Sequence, residues 1–379
     1  MDITTDANSF ELALFRKAAS AHRPIYGNLE LLPLCNMNCD MCFVRLSPEE
    51  MKRQGRLRTL EEWKSVVKEI AQEGVLFLQL TGGEPLLYPD FKELYSFIRS
   101  QGIIVTINTN GTLIDEEWAD FFAKYPPRRL NITLYGKDNE TYERLCHLPH
   151  GFDKAIRGIK LLRERNVDVK LNGSLAKENF HDLKALFQIA DELKVPMEPA
   201  SYMFPATRER SRDYQYQSRV TPKEAAHAQM IVAAHGKTPE EFKLYAQSVL
   251  DRVEQTPEGP LEPGGVTCNA GQCAFIVNWM GHLQPCIILR DPWVPVFEIG
   301  FKKGWEEIVE KTREIQVCAE CNACKLRNFC SRCAAANFCE TGNMHTKPAY
   351  LCEMAEEYVR LMKEVATSEV PSETTSEGE

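Results

Sequence analysis

Cys35-Asn36-Met37-Asn38-Cys39-Asp40-Met41-Cys42 sets three cysteines three and two residues apart, directly after residues 28–32 (Asn-Leu-Glu-Leu-Leu), which read as a strand. A loop this tight can wrap three thiolates around one iron–sulfur cubane, and with no fourth cysteine nearby one iron stays open to a ligand. A closed zinc site wants four ligands, commonly as paired C-x-x-C knuckles. Taken alone, the spacing leaves both readings standing.

Outward from this loop, strand and helix signals alternate. Thr59 and Glu62 form a capping box ahead of Leu60, Trp63, Val66, Val67 and Ile70 at helical spacing. Residues 75–80 are a short apolar run, hence a buried strand, and Phe91, Leu94, Tyr95 and Ile98 mark a helix that Gly102 stops. Further strands are expected at 103–107, 130–134, 167–171 and 195–197. Helices are expected at 114–122, in the stretch up to 165, and on Leu183, Leu186, Ile189 and Leu193. Six strand–helix repeats in about 170 residues predict an α/β fold with a parallel sheet, doubly wound or a partial (βα)6 TIM-like barrel. The notable loops all follow strand ends, where such sheets gather their sites.

Beyond residue 200 the pattern changes. Residues 205–219 carry Arg208, Arg210, Arg212, Tyr214, Tyr216 and Arg219 without a period, and read as a solvated connector, with contact to an acidic peptide as the alternative. Residues 221–255 read as helical from a Thr-Pro cap, and PEGPLEPGG at 257–265 as a linker. A helix over 352–365 puts Tyr358, Leu361, Met362 and Val365 on one face, and the acidic, low-complexity tail reads as disordered. The expected division is an N-terminal extension 1–27, a barrel 28–200, a connector 201–265, a small cysteine-rich domain 266–365 and a tail 366–379.

The chain's 379 residues suffice for two domains, and 44% hydrophobic with 26% charged residues is a soluble balance. A formal charge of −9 argues against a nucleic-acid partner. No apolar run approaches the roughly 18 residues of a membrane span. The acidic start MDITTDANSFELALF is no secretory signal, so a cytoplasmic protein without a membrane partner is expected. Fourteen cysteines in a reducing compartment point to metal rather than disulfides. Three sit near residue 40, Cys146 is alone and reads as a small buried residue, and ten lie between Cys268 and Cys352.

The CX3CX2C spacing at Cys35, Cys39 and Cys42, at the end of the first strand, resembles the signature of the radical S-adenosylmethionine (SAM) superfamily. Other strand ends resemble that family's SAM-binding elements. Thr81-Gly82-Gly83-Glu84-Pro85 resembles its GGE motif, in which glycines let the backbone approach and Glu84 accepts from the SAM ammonium. Asn108-Thr109-Asn110-Gly111 resembles its ribose-side loop, with Asn108 and Asn110 as contacts. The resemblance further implies SAM contacts at Thr133, Arg144 (to the carboxylate), Asn172 (ribose), and Val195 and Met197 (adenine). Relatives usually carry an aromatic before the third cysteine. Here Met41 stands there and Phe43 follows Cys42, which touches the packing on the cluster but not its ligands.

The second constellation, Cys268-x4-Cys273-x12-Cys286 with Gly281, then Cys321-x2-Cys324-x5-Cys330-x2-Cys333 and Cys352, resembles the family's SPASM extension. That resemblance implies two auxiliary [4Fe–4S] clusters, one on Cys268, Cys273, Cys286 and Cys333, the other on Cys321, Cys324, Cys330 and Cys352. Cys318 and Cys339 are left over and leave the register open by one cysteine. Structural zinc knuckles are the alternative for part of the set.

Such a chain is expected to cleave SAM reductively to a 5′-deoxyadenosyl radical that abstracts hydrogen from its substrate, with the cofactors carrying the hard chemistry. An electron donor such as a flavodoxin or ferredoxin is implied. SPASM enzymes typically modify peptides, so an oxidative modification or a thioether or C–C cross-link in a ribosomally made peptide is the first expectation. A small-molecule dehydrogenase or C–C bond-forming enzyme is the second, and a non-enzymatic zinc or electron-transfer protein the third. Ile287 after Cys286 stands where sulfatase maturases carry an Asp base, which speaks against formylglycine formation. The 34 residues before Cys35 are too few for a peptide-recognition domain, so a separate recognition protein or a leaderless substrate is expected.

Overall fold

In the computed structural model, described for residues 9–205, 218–257, 259, 266–330 and 332–368, the first strand β1 (Tyr26–Glu30) ends just before the cysteine loop. Five parallel strands follow in register beside it: β2 (Phe77–Thr81), β3 (Ile104–Thr109), β4 (Arg129–Leu134), β5 (Val169–Ser174) and β6 (Met197–Ala200). Helices α1 (Ser9–Ser20), α2 (Pro48–Gln54), α3 (Leu60–Gln72), α4 (Phe91–Ser100), α5 (Glu116–Lys124), α6 (Asn139–Cys146), α7 (Gly151–Glu164) and α8 (Leu183–Leu193) precede or link the strands. The result is the expected α/β partial barrel.

Alternation along each strand decides which face meets the helices. Leu29, Leu80, Ile107, Ile132 and Leu171 join Trp63, Val67, Ile70, Leu94, Ile98 and Leu162 in one buried core. The alternate residues Asn28, Gln79, Asn108, Asn131 and Asn172 point the other way, onto the concave face. There Gln79 donates to Asn28 (2.9 Å), Asn131 donates to Asn108 (2.8 Å), and the Tyr26 hydroxyl donates to Gln79 (3.2 Å). The expected capping box is formed: Thr59 caps the Glu62 amide and the Glu62 carboxylate accepts from the Thr59 amide.

The region after residue 266 does not begin as a separate layer. Strand β7 (Ala274–Val277) adds in parallel to the free edge of β1, and β8 (His282–Gln284) and β9 (Val294–Pro295) extend the sheet antiparallel. The nine strands run β6-β5-β4-β3-β2-β1-β7-β8-β9. Phe275, Val277, Leu283, Val294, Phe301, Trp305 and Ile308 are part of the same core as the barrel. The docking depends on Gly27, where an added Cβ would lie 2.3 Å from the Phe275 ring and 2.9 Å from Leu78.

Residues 221–255 are helical as expected, in two helices, Pro222–Ala234 and Pro239–Glu254. Thr238 starts a second capping box with Glu241, and Pro239 cannot continue a preceding helix. Both pack on the last helix, Ala349–Thr367, whose Tyr358, Leu361 and Met362 meet Ala226, Ala246 and Val249. Arg208, Arg210, Arg212, Tyr214 and Tyr216, most of the linker and the end of the acidic tail lie outside the described residues. Among the described residues no helix is long and apolar enough to cross a membrane.

Gly27→Ala should destabilise the protein by about 1–3 kcal/mol in urea unfolding, through overpacking. Adding Phe275→Leu should recover part of that loss, and equal losses in the single and double variants would refute the β1–β7 wedge.

Candidate active site

Both sides of the cysteine loop are stitched by main-chain hydrogen bonds. On the β2 side, Gly83 donates to the Leu32 carbonyl (2.8 Å) and Glu84 to that of Leu34 (2.9 Å). On the far side, Asn38 donates to the Cys146 carbonyl and Asp40 to that of Leu145, both at 3.0 Å, so the end of α6 straps the loop down. Gly83 is what allows the near approach, since a Cβ there would sit 2.2 Å from the Leu34 oxygen.

Two of the thiols accept hydrogen bonds from main-chain amides. Cys35 Sγ accepts from the Met37 amide (3.4 Å) and lies 3.6 Å from Asn110 Nδ2, and Cys42 Sγ accepts from the Arg45 amide (3.3 Å). As free thiols they resist ionisation. Burial pushes Cys35 well above the ordinary range, helped by the Glu84 charge. Cys39 is pushed well up by a hydrogen bond with Cys146 and then by burial. A bound metal centre would replace those protons. Three thiols, two of them with amide donors on sulfur, fit a cubane with an open iron. Among the described residues no three His, Cys, Asp or Glu side chains converge as tightly as one metal ion would need.

Glu84 is fully buried and ties the β2 loop to the β3 loop. One oxygen accepts from Thr109 Oγ1 (2.7 Å) and the Leu86 amide (3.1 Å), the other from the Asn110 amide (2.8 Å). Burial outweighs these donors and raises its pKa from 4.5 to about 7. Asn110 continues the network, its amide donating to Asn36 (2.9 Å) and its oxygen accepting from Thr112 Oγ1 (2.7 Å). Cys35, Asn36, Gly83, Glu84, Asn110 and Thr112 are thereby one assembly. Asn108 lies below it on the concave face, and Thr133 and Asn172 face each other across β4 and β5.

Three of the sequence-predicted contacts stand apart. Arg144 is on the exposed face of α6, pairing with Glu140 (3.3 Å) and donating to the Glu178 carbonyl (3.0 Å). Val195 precedes β6, at the strand end opposite the cysteine loop, and Met197 is the first residue of the strand, aligned with Leu171. The strand starts two residues later than its apolar residues suggest, so its site-facing end falls at Ala200.

Asn36, Thr112, Tyr135, Cys146 and Asn179 were not foreseen as site residues. The Tyr135 phenol is raised well above its ordinary pKa by burial first and then by Cys39, Cys146, Cys35 and Cys42, which places it among those thiols. Its position two residues past Thr133, at the end of β4, was the available signal. Asn179 donates to the Tyr135 (2.7 Å) and Ser174 (2.8 Å) carbonyls, joining the β4 and β5 ends.

The ten C-terminal cysteines fall into two neighbourhoods. Cys268, Cys286, Cys333 and Cys339 act on one another electrostatically, with Cys273 beside Cys268. Cys318, Cys321, Cys324, Cys330 and Cys352 form the other. Backbone amides again reach sulfur, at Cys286 from Ile288 (3.4 Å), Cys324 from Leu326 (3.3 Å) and Cys333 from Ala336 (3.4 Å).

Comparison with known proteins agrees with this geometry. Residues 29–190 match the Radical SAM superfamily. The AdoMet-dependent heme synthase of Methanosarcina barkeri is 26% identical over 339 residues, 85% of this chain and 94% of that protein. The antilisterial bacteriocin subtilosin biosynthesis protein AlbA of Bacillus subtilis is 24% identical over 70% of this chain and 55% of its own length. The crystal structure of Streptococcus suis SuiB bound to precursor peptide SuiA superposes with a TM-score of 0.64 at 17% identity, over 92% of this chain and 82% of that one, a likeness of fold. The Radical SAM family implies SAM and a [4Fe–4S] cluster.

Gly83→Ala should force the β2 loop off the cysteine loop and lower bound iron by about four per chain, one cubane. Gly74→Asn, at a left-handed turn with nothing within 4 Å, should leave iron unchanged. A carboxyl with a raised folded-state pKa gives stability that is complete below its unfolded value and lost as pH rises through the folded one. Glu84 should therefore cost about 3 kcal/mol as pH rises from 4.5 to beyond about 7. Urea unfolding of wild type and Glu84→Gln across that window should differ in slope, and identical slopes would refute the assignment.

Proposed function

We propose, from the premise that this chain is a radical SAM enzyme, that it oxidatively modifies or cross-links a ribosomally made peptide through a thioether or C–C bond. Cys35, Cys39 and Cys42 hold the catalytic cluster. When bound, that cluster supplies the electron that cleaves SAM to methionine and a 5′-deoxyadenosyl radical able to take hydrogen from an unactivated carbon. Gly82, Gly83 and the Glu84 strut shape the wall against the SAM amino group, and Asn108, Asn110, Thr133 and Asn172 offer polar contacts to its ribose side. Tyr135, Met37 and Met41 exclude water beside the thiols.

The concave face carries the substrate reading. Beside the ribose contacts, Asn28, Gln79 and Asn131 line the barrel interior with amide groups, which suit the alternating donors and acceptors of a peptide main chain. The likeness to AlbA supports the same class. The C-terminal cysteines would hold two auxiliary [4Fe–4S] clusters, which would supply electron relay when bound. Such a relay would suit a net oxidation. An electron donor of the flavodoxin or ferredoxin type completes the system.

A second reading has its own support: the M. barkeri heme synthase aligns over 94% of its length, which favours a small-molecule, tetrapyrrole-like substrate. Anaerobic incubation of the reconstituted protein with SAM, reductant and either candidate peptides or an iron porphyrin separates the two. The peptide should lose about two hydrogen masses per turnover, with 5′-deoxyadenosine release falling to background in Cys35→Ala. Mass change confined to the porphyrin would overturn the peptide reading.

A further inference from the structure

The sequence pattern and the packing part company at one auxiliary cysteine. Cys273 is fully buried in its own apolar pocket, with Phe15, Ala18, Ile25, Tyr26 and Phe77 around it. Its carbonyl accepts from the Ile25 (2.9 Å) and Tyr26 (3.2 Å) amides at the start of β1, the end of the sheet opposite the cysteine loop. The neighbouring thiol it senses is Cys268. A cysteine so enclosed behaves as a small hydrophobe.

Cys339 lies elsewhere. It packs with Cys286 and Cys333 in a different cluster, on Ile288, Leu289, Ile315, Ala334 and Ala335. Val266, two residues before Cys268, packs on the same cluster. The helix bearing Cys339, Ala334–Thr341, is capped by Cys333 itself. The next residue fixes the helix's rotation: Glu340 accepts from Arg219 (2.6 Å) and from the Tyr202 hydroxyl (2.6 Å), both on the barrel's exit segment. Arg219 also lies 4.2 Å from the Tyr350 ring centroid. The side of the helix bearing Cys339 is thus held toward Cys286 by a buried ion pair.

We infer that the first auxiliary cluster is held by Cys268, Cys286, Cys333 and Cys339, and that Cys273 is a core residue of the sheet. The inference rests on the auxiliary-cluster reading given above. Ligation would replace the Cys339 thiol proton with iron, as at the other three cysteines.

The test uses the full chain, reconstituted anaerobically with iron and sulfide, as wild type, Cys339→Ala, Cys339→Ser and Cys273→Ala. Iron per chain, Mössbauer and EPR spectra are read alongside circular dichroism. Wild type should hold about twelve irons, as three cubanes require. Cys339→Ala should fall toward about eight or show a three-iron EPR signal, Cys339→Ser should keep iron with a shifted auxiliary signal, and Cys273→Ala should match wild type. If Cys273→Ala loses the cluster while Cys339→Ala keeps the wild-type spectrum, the assignment is overturned and the auxiliary clusters stand. If both variants keep the wild-type spectrum, it is likewise overturned. If wild type binds only about four irons, the auxiliary-cluster reading fails and takes the assignment with it.

Discussion

A loop that presents three thiols to one centre has few residues left for its own hydrogen bonds, so its shape must be imposed from outside. Here the constraint is a clamp of backbone amides and carbonyls. Gly83 and Glu84 hold one side through Leu32 and Leu34, and the end of α6 holds the other through Leu145 and Cys146. Each buried amide left unpaired would cost about 1–3 kcal/mol, so the loop cannot leave one partner without strong loss. Much of the rest of the site follows from the clamp. The glycine permits the approach, and the residue after it, Glu84, is carried inward, where its carboxylate fastens the next strand's loop.

That placement gives Glu84 a double character. A buried carboxylate with three protein donors is pre-oriented and cannot swing away, which suits a residue forming one wall of a binding site. Its raised pKa means the site carries charge there only toward neutral pH, close to the Cys35 sulfur whose ionisation that charge opposes. The electrostatics favour a positive ligand group or a metal centre near Glu84, since either relieves the repulsion. A chain built only for packing would have little reason to bury a carboxylate beside the Cys35 thiol.

Sequence periodicity made the barrel legible because its strands and helices alternate with separate periods and clear stops, such as Thr59 with Glu62 and Gly102. The cysteine loop and the Gly82–Glu84 turn were legible because both need unusual residues at fixed spacing. Other features left no local mark. Strand β7 is four residues long and was hidden within a cysteine-rich stretch, and its partner β1 lies some 250 residues away in sequence. Arg144 directly precedes Leu145 and Cys146, which strap the cysteine loop, with its guanidinium on the exposed face of α6. Val195 suits a buried strand on composition, yet the strand starts at Met197, which leaves Val195 at the wrong end. Cys146 and Tyr135 reach the thiols only through tertiary packing, which spacing cannot reveal.

The same limit explains why the C-terminal cysteines resist assignment by spacing. Ligand patterns assume that a segment folds around its metal, whereas here the first part of the segment is committed to the barrel. Pairing with β1 fixes Ala274–Val277, and Cys273 enters the sheet's apolar underside with it. The second part is fixed from another direction, by Arg219 and Tyr202 on Glu340. A buried ion pair of this kind adds little net stability, because desolvation cancels most of the attraction, but breaking either half is costly. Its effect is therefore on geometry: it selects one orientation of the helix Ala334–Thr341 against the barrel exit. Two independent anchors, a strand edge and a buried charge pair, thus decide which thiols can meet, and the order of cysteines along the chain does not.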